Sequence, residues 1–212
     1  MTIMQCIDEY VNKAVARVPI YTNEIYDYVR SKLPNTGKAT FNMTLQRYAQ
    51  KRADFLRYKK GIYYKTFQTP FGTAGIDTMP LIKKTYLLNG NEVIGYESGP
   101  SYMNKLGLTT QMPKFTYIVT QKVRFNTEDE ADGLFLMKPI TGITDENYRY
   151  LQFLDILDNK MKVPIEAVNC KEILRKQIGA YNLSFEKLIG YAKHYKNTKV
   201  YEGLSELARG VD

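Results

Sequence analysis

The chain has no tryptophan, one histidine and two cysteines. His194 stands alone, so any site needing two imidazoles is excluded, and a Ser–His–Asp triad finds little support. Cys6 and Cys170 have neither metal-ligand spacing nor a CxxC pair, and they read as reduced packing residues of a cytoplasmic protein. No GxxxxGK(S/T) or GxGxxG phosphate loop occurs. Asp8 and Glu9 interrupt the first apolar run, which removes a signal-peptide layout, and no apolar stretch approaches the ~20 residues that span a bilayer. The carboxylates form no spaced pair on one apolar face of the kind an acid/base dyad uses. The expectation is a protein without enzymatic activity, metal site, cofactor or membrane partner.

What the sequence does have is tyrosine and an uneven positive charge. It holds 18 Tyr and 9 Phe, and tyrosine suits half-buried positions with the ring packed and the hydroxyl wet. The formal net charge is +8. Residues 1–66 carry 12 Lys/Arg against 5 Asp/Glu, a net of +7, whereas residues 67–212 carry 18 against 17. Almost all the excess therefore sits in the first third, which points to a polyanionic partner there.

Helical spacing of Ile3, Cys6, Ile7, Tyr10, Val11, Ala14 and Val15 predicts a first helix over 2–17, with Thr2 as its cap. A short extended run, 18–21, leads to a second helix over 23–33 capped by Thr22, and 34–37 is a turn. A third helix is expected over 38–52. At about 100° per residue, Phe41, Leu45, Tyr48 and Arg52 share one side, and Thr40, Met43, Gln46, Arg47 and Gln50 spread over the other. Two β-prone runs follow, 54–58 and 62–65, joined by Lys59-Lys60-Gly61. Three helices and a lysine-tipped hairpin are the order of a winged helix-turn-helix. On that basis Thr40, Met43, Gln46, Arg47 and Gln50 are candidates to read base edges. Arg47 has the fork that suits guanine, and Gln46 or Gln50 could pair with adenine. Lys38, Lys51, Lys59 and Lys60 are candidates to hold phosphate.

The charge excess ends near 67–80, a Gly-, Pro- and Thr-containing stretch. The expected domains are 1–68, a connector over 69–80 that packs partly on one of them, and 81–212. A helix over 80–88, a turn at 89–91, a short helix over 101–108 and a strand over 115–120 come next. Residues 126–132 read as an exposed acidic turn containing Asp129, Glu130 and Asp132, and 134–137 as a strand. Helices are expected over 145–158, 166–178, 184–194 and 198–209, with Asp145 and Ser184 as caps. The fold class is thus α+β: a winged helix-turn-helix, then a mixed domain with a few strands and a helical C-terminal run.

Within that second part, Gly95-Tyr96, Ser98-Gly99-Pro100-Ser101, Leu106-Gly107-Leu108-Thr109-Thr110-Gln111 and Pro113 form a distinctive series. Together with the two-domain layout, this resembles the AbiEi-type antitoxins of bacterial toxin–antitoxin and phage-defence operons. The resemblance implies two activities. The winged helix would repress the protein's own operon by binding double-stranded DNA at the operator, and the second domain would help neutralise a toxin with a nucleotidyltransferase fold. It carries over no toxin-contact residue. Two other functions stay open from the residues: a protein–protein adaptor whose winged helix binds no DNA, and a nucleotide- or phosphate-binding enzyme. The latter would use the Gly95–Lys105 turn, whose backbone N–H groups and Lys105 could cradle phosphate.

Overall fold

The computed structural model describes residues 1–129, 132–159 and 161–209. It is a mixed α+β structure with N-terminal helices and a C-terminal helical run, in two compact units, Met1–Ile82 and Lys83–Asp212.

In the first unit, helix α1 (Ile3–Lys13) begins at Thr2, whose hydroxyl accepts from the Gln5 amide at 3.2 Å while Gln5 accepts from the Thr2 amide at 2.8 Å. This reciprocal cap fixes the helix start. The helix is shorter than the 2–17 expected: it ends at Ala14, Val15 is exposed, and Arg17 adopts a φ of 68°. That turn is held because the Arg17 amide donates to the Lys65 carbonyl at 2.7 Å. Strand β1 (Pro19–Tyr21) follows, then α2 (Thr22–Lys32), α3 (Lys38–Lys51), β2 (Phe55–Lys59) and β3 (Ile62–Lys65). Thr22 is not the cap of α2. Its amide donates to the Gly61 carbonyl at 2.9 Å, and Tyr21 takes the cap position. The strands form an antiparallel sheet in the order β1-β3-β2. Gly61 at φ 81° makes the tight β2–β3 turn. Cys6, Ile7, Val11, Ile25, Val29, Phe41, Leu45 and Phe55 are among the core residues.

The stretch after β3 folds onto this unit. It forms a two-stranded hairpin, β4 (Gln68–Thr69) and β5 (Gly72–Thr73). Thr66 donates to the Ala74 carbonyl at 2.5 Å, and the Asp77 amide donates to the Arg17 carbonyl at 2.7 Å. A short helix α4 (Thr78–Ile82) buries Leu81 and Ile82. The expected helix over 80–88 is therefore divided: α4 starts earlier, and Lys83–Leu87 continues as a wider π-helical turn. In the second unit that turn turns its carbonyls to the sheet, Tyr86 accepting from Thr120 Oγ1 at 2.7 Å and Leu87 from the Ile94 amide at 2.8 Å.

The second unit contains a small hairpin, β6 (Leu88–Asn89) and β7 (Glu92–Val93), then β8 (Gly95–Glu97), α5 (Gly99–Lys105), β9 (Thr116–Thr120), β10 (Thr127–Asp129) and β11 (Leu134–Met137). The four-stranded sheet runs β10-β11-β9-β8, with β11 parallel to β9 and the other pairs antiparallel. The acidic turn expected over 126–132 is corrected here. Residues 127–129 form an edge strand, and its acids keep that edge solvated and unattractive to further strands. Glu130 of that expected turn lies outside the described residues. Helices α6 (Tyr148–Asp158), α7 (Cys170–Ala180), α8 (Phe185–Ala192) and α9 (Thr198–Ala208) complete the unit. Ser184 caps α8, accepting from the Lys187 amide at 3.2 Å. Asp145 does not cap α6; its carboxylate accepts from the Val93 amide at 2.8 Å, and Asn147 occupies the cap. Leu151, Leu154, Leu188 and Val200 lie at the centre of the helical core.

Candidate functional site

The third helix places its side chains as the 3.6-residue period requires. Phe41, Leu45 and Tyr48 are buried. Thr40, Met43, Gln46, Arg47 and Gln50 are all exposed, as are Lys38, Ala39, Asn42 and Lys51. Aromatic contacts fix the helix. Phe41 packs on Tyr26 at 5.0 Å between ring centroids, Tyr48 on Phe55 at 5.6 Å, and Phe55 stacks on Tyr63 at 5.0 Å. The last two contacts tie helix and hairpin together through one run of rings. The Tyr26 hydroxyl also donates to the Thr36 carbonyl at 3.0 Å and so holds the turn that leads into α3.

Arg52 closes the other end of the helix. Its guanidinium donates to Asp8 at 2.9 Å and to Asp54 at 2.7 and 3.2 Å, and it also contacts the Tyr48 hydroxyl. Tyr48 in turn donates to Asp8 at 2.8 Å. The Arg52 hydrogen bond lowers the Asp54 carboxyl. Burial, with the bond to Asp8, pushes the Tyr48 phenol up to about 12. Arg52 is thus a clasp between α1, α3 and the hairpin and is not part of the exposed face.

The phosphate candidates separate into different surroundings. A cleft of about 560 Å³, open to solvent, runs between α3 and the hairpin; Lys38, Arg57 and Lys60 line it together with Asn23, Asn42 and Gln46. Three cations line it, Lys38 from α3 and Arg57 and Lys60 from the hairpin, and among the described residues no carboxylate does. Lys59 lies elsewhere, with its ammonium 5.6 Å from the centre of the Tyr58 ring. A β-bulge between Arg57 and Lys59 shifts the register, so these two, which a regular strand would place on one face, stand opposite the adjacent residues Tyr63 and Ile62 and point apart. Lys51 lines a separate depression that also contains Asp8 and Glu9. Arg57, Asn23 and Asn42 are additions that spacing did not single out. Arg57 looked like an ordinary strand residue, and only its pairing opposite Tyr63 turns it to the cleft.

The series in the second unit has a different character. A Cβ on Gly95 would lie 2.2 Å from the Tyr86 carbonyl oxygen and 2.7 Å from that of Val119. Gly99 has φ 58° and packs against Tyr117. Gly107, at φ 73°, ends α5, with the Leu108 amide donating back to the Met103 carbonyl at 3.0 Å and Leu108 fully buried. Leu106 packs at the margin of the core. Ser101 accepts from the Tyr117 amide at 3.0 Å; Thr109 is buried and accepts from the Gln111 amide at 3.3 Å; Pro113 is half-buried in the loop. Ser98 donates to Asp155 at 2.9 Å, beside Tyr96 at 3.1 Å and Tyr195 at 2.7 Å. Burial raises both phenols, and the neighbouring Asp155 charge raises them further. Lys105 pairs with Glu97 at 2.7 Å. The proposed phosphate turn therefore has its serine on a carboxylate and its lysine on a glutamate, and its glycines answer to packing.

Among the described residues, no group of His, Cys, Asp and Glu could hold a metal ion, and no helix is long and apolar enough to cross a membrane. In comparisons with known proteins, no family model and no curated sequence matches the chain.

Proposed function

We propose that the first unit is a winged helix-turn-helix that binds double-stranded DNA, and that the protein is a transcriptional repressor of its own operon without enzymatic activity. The observation that carries this is the cleft in which Lys38, Arg57 and Lys60 converge without a carboxylate, next to a helix whose outer face is polar and exposed. A phosphodiester strand fits such a cleft electrostatically, and α3 would then lie in the major groove. Thr40, Gln46, Arg47 and Gln50 face outward to meet base edges. Lys38 and Lys60 are the stronger phosphate contacts and Arg57 joins them, because the three line one cleft; Lys51 stands apart, in a depression where Asp8 and Glu9 are already paired with Arg52 and Lys13.

The second half of the proposal, neutralisation of a nucleotidyltransferase-fold toxin by the second unit, rests on the resemblance to AbiEi-type antitoxins. Co-expression with the product of the adjacent gene and co-purification tests it; a neighbour of another fold, or no functional rescue, removes it. DNA binding is tested by anisotropy titration against the gene's upstream DNA and random DNA. The expected result is tighter binding to the former and a steep fall in affinity with salt. Equal binding at moderate salt would overturn the repressor.

A further inference from the structure

Met43 is the unusual member of the exposed face of α3. The buried residues Phe41, Leu45 and Tyr48 define the inward direction, and at about 100° per residue Met43 points almost opposite to it. It is 55% exposed, and among the described residues of α3 it alone is large, apolar and exposed. It sits near the middle of the helix, with the smaller Ala39 and Thr40 one turn before it and Gln46 and Arg47 one turn after, all exposed. A long unbranched thioether at the crest of a polar face is suited to an apolar feature on an otherwise polar partner. The major groove offers one such feature, the C5-methyl group of a pyrimidine.

We infer that Met43 reads a pyrimidine C5-methyl group, that of thymine or of 5-methylcytosine, at the centre of the α3 footprint. The inference rests on the DNA-binding function proposed above. The occupant is duplex DNA because the unit's excess positive charge and the cleft beside α3 fit a polyanion. Arg47 and the glutamines would then read hydrogen-bonding groups to either side, while Met43 adds discrimination that hydrogen bonds do not supply.

The test is a binding-site selection from a random duplex library with the full chain. The selected site is then remade with each thymine replaced in turn by uracil, which removes only the methyl group. At one thymine, uracil should weaken wild-type binding about fourfold, the effect expected from burying one methyl. Met43→Ala should bind the thymine and uracil duplexes equally, whereas Met43→Leu should keep the preference. Melting temperature should change little in either variant, because Met43 is exposed and lies outside the core. A further arm places cytosine or 5-methylcytosine at that position; a gain on methylation shows that the contact takes either base, and no gain confines it to thymine. Equal wild-type binding to thymine and uracil at every position overturns the inference, as does a preference that survives in Met43→Ala. Both outcomes leave DNA binding standing. Failure to bind any duplex at low salt overturns the DNA-binding function itself.

Discussion

Helices α3 and α5 begin alike: each has a glycine at its start, Gly37 at the cap of α3 and Gly99 at the first position of α5, and each carries lysine and hydroxyl side chains. Their side chains end in opposite situations. On α3 the polar groups face solvent, and the adjoining cleft gathers cations without a compensating acid. Around α5 the polar groups are taken up inside the fold: Ser98 and Tyr96 on Asp155, Ser101 on the β9 backbone, Lys105 on Glu97. The lesson is about where a ligand can act. A charged or hydrogen-bonding group already satisfied by the protein has little left for a partner, and removing it costs stability. An exposed group costs little stability to lose, so what it contributes is measured in binding.

The largest effect expected on the α5 side is Gly95→Ala. Its Cβ would meet two backbone carbonyls, which cannot rotate away, so a destabilisation of about 3 kcal/mol is expected in denaturant unfolding. An unchanged midpoint would break the comparison there. Asp155→Ala comes next. It removes the acceptor of three hydroxyls, and about 2–3 kcal/mol should be lost, with no change in DNA affinity at temperatures where the variant is folded.

On the α3 side, Arg47→Ala should leave the melting curve within about 0.5 kcal/mol of wild type and reduce discrimination between DNA sequences by ~1–3 kcal/mol. Lys38→Ala and Lys60→Ala should each weaken binding to all duplexes similarly and lower the salt slope by about 1, with a smaller effect for Lys51→Ala. Equal effects for all three lysines would show that the cleft has no special part.

The smallest effect concerns pH. Asp54 is lowered by Arg52 from its ordinary value of 3.8, so the stability that pair contributes is present above about pH 4 and is lost as pH falls through the depressed value. The carboxyl is partly exposed, so water screens the pair and the loss is modest. Asp54→Asn should flatten the acid limb of the stability curve below pH 4; an unchanged limb would place the acid sensitivity on other carboxylates.

Several features were legible from residue order because they depend on local periodicity. Helices over most of their lengths, the Thr2 and Ser184 caps and the strand at 134–137 all follow from side-chain spacing and capping chemistry. Strand 127–129 was not legible. Two of its three residues, Glu128 and Asp129, are acidic and have little β propensity, and the segment pairs only because β11 lies between it and β9. The early end of α1 was equally hidden, since the Arg17 turn depends on Lys65, far along the chain. In the second unit, the glycines left a phosphate turn open beside a turn required by packing, because sequence shows a glycine's freedom and not the carbonyls that crowd it.

For this protein, residue order alone determined the concentration of positive charge in the first third and the division of α3 into a buried and an exposed side. Both are properties of composition and of a 3.6-residue period, and neither needs a distant contact. Only the tertiary structure decided which cations act together. The bulge separates Arg57 from Lys59, and the packing of α1 sets Lys51 in a depression of its own beside acids already paired with Lys13 and Arg52. The cleft unites Lys38 of α3 with Arg57 and Lys60 of the hairpin, because electrostatic fields add in space and not along the chain.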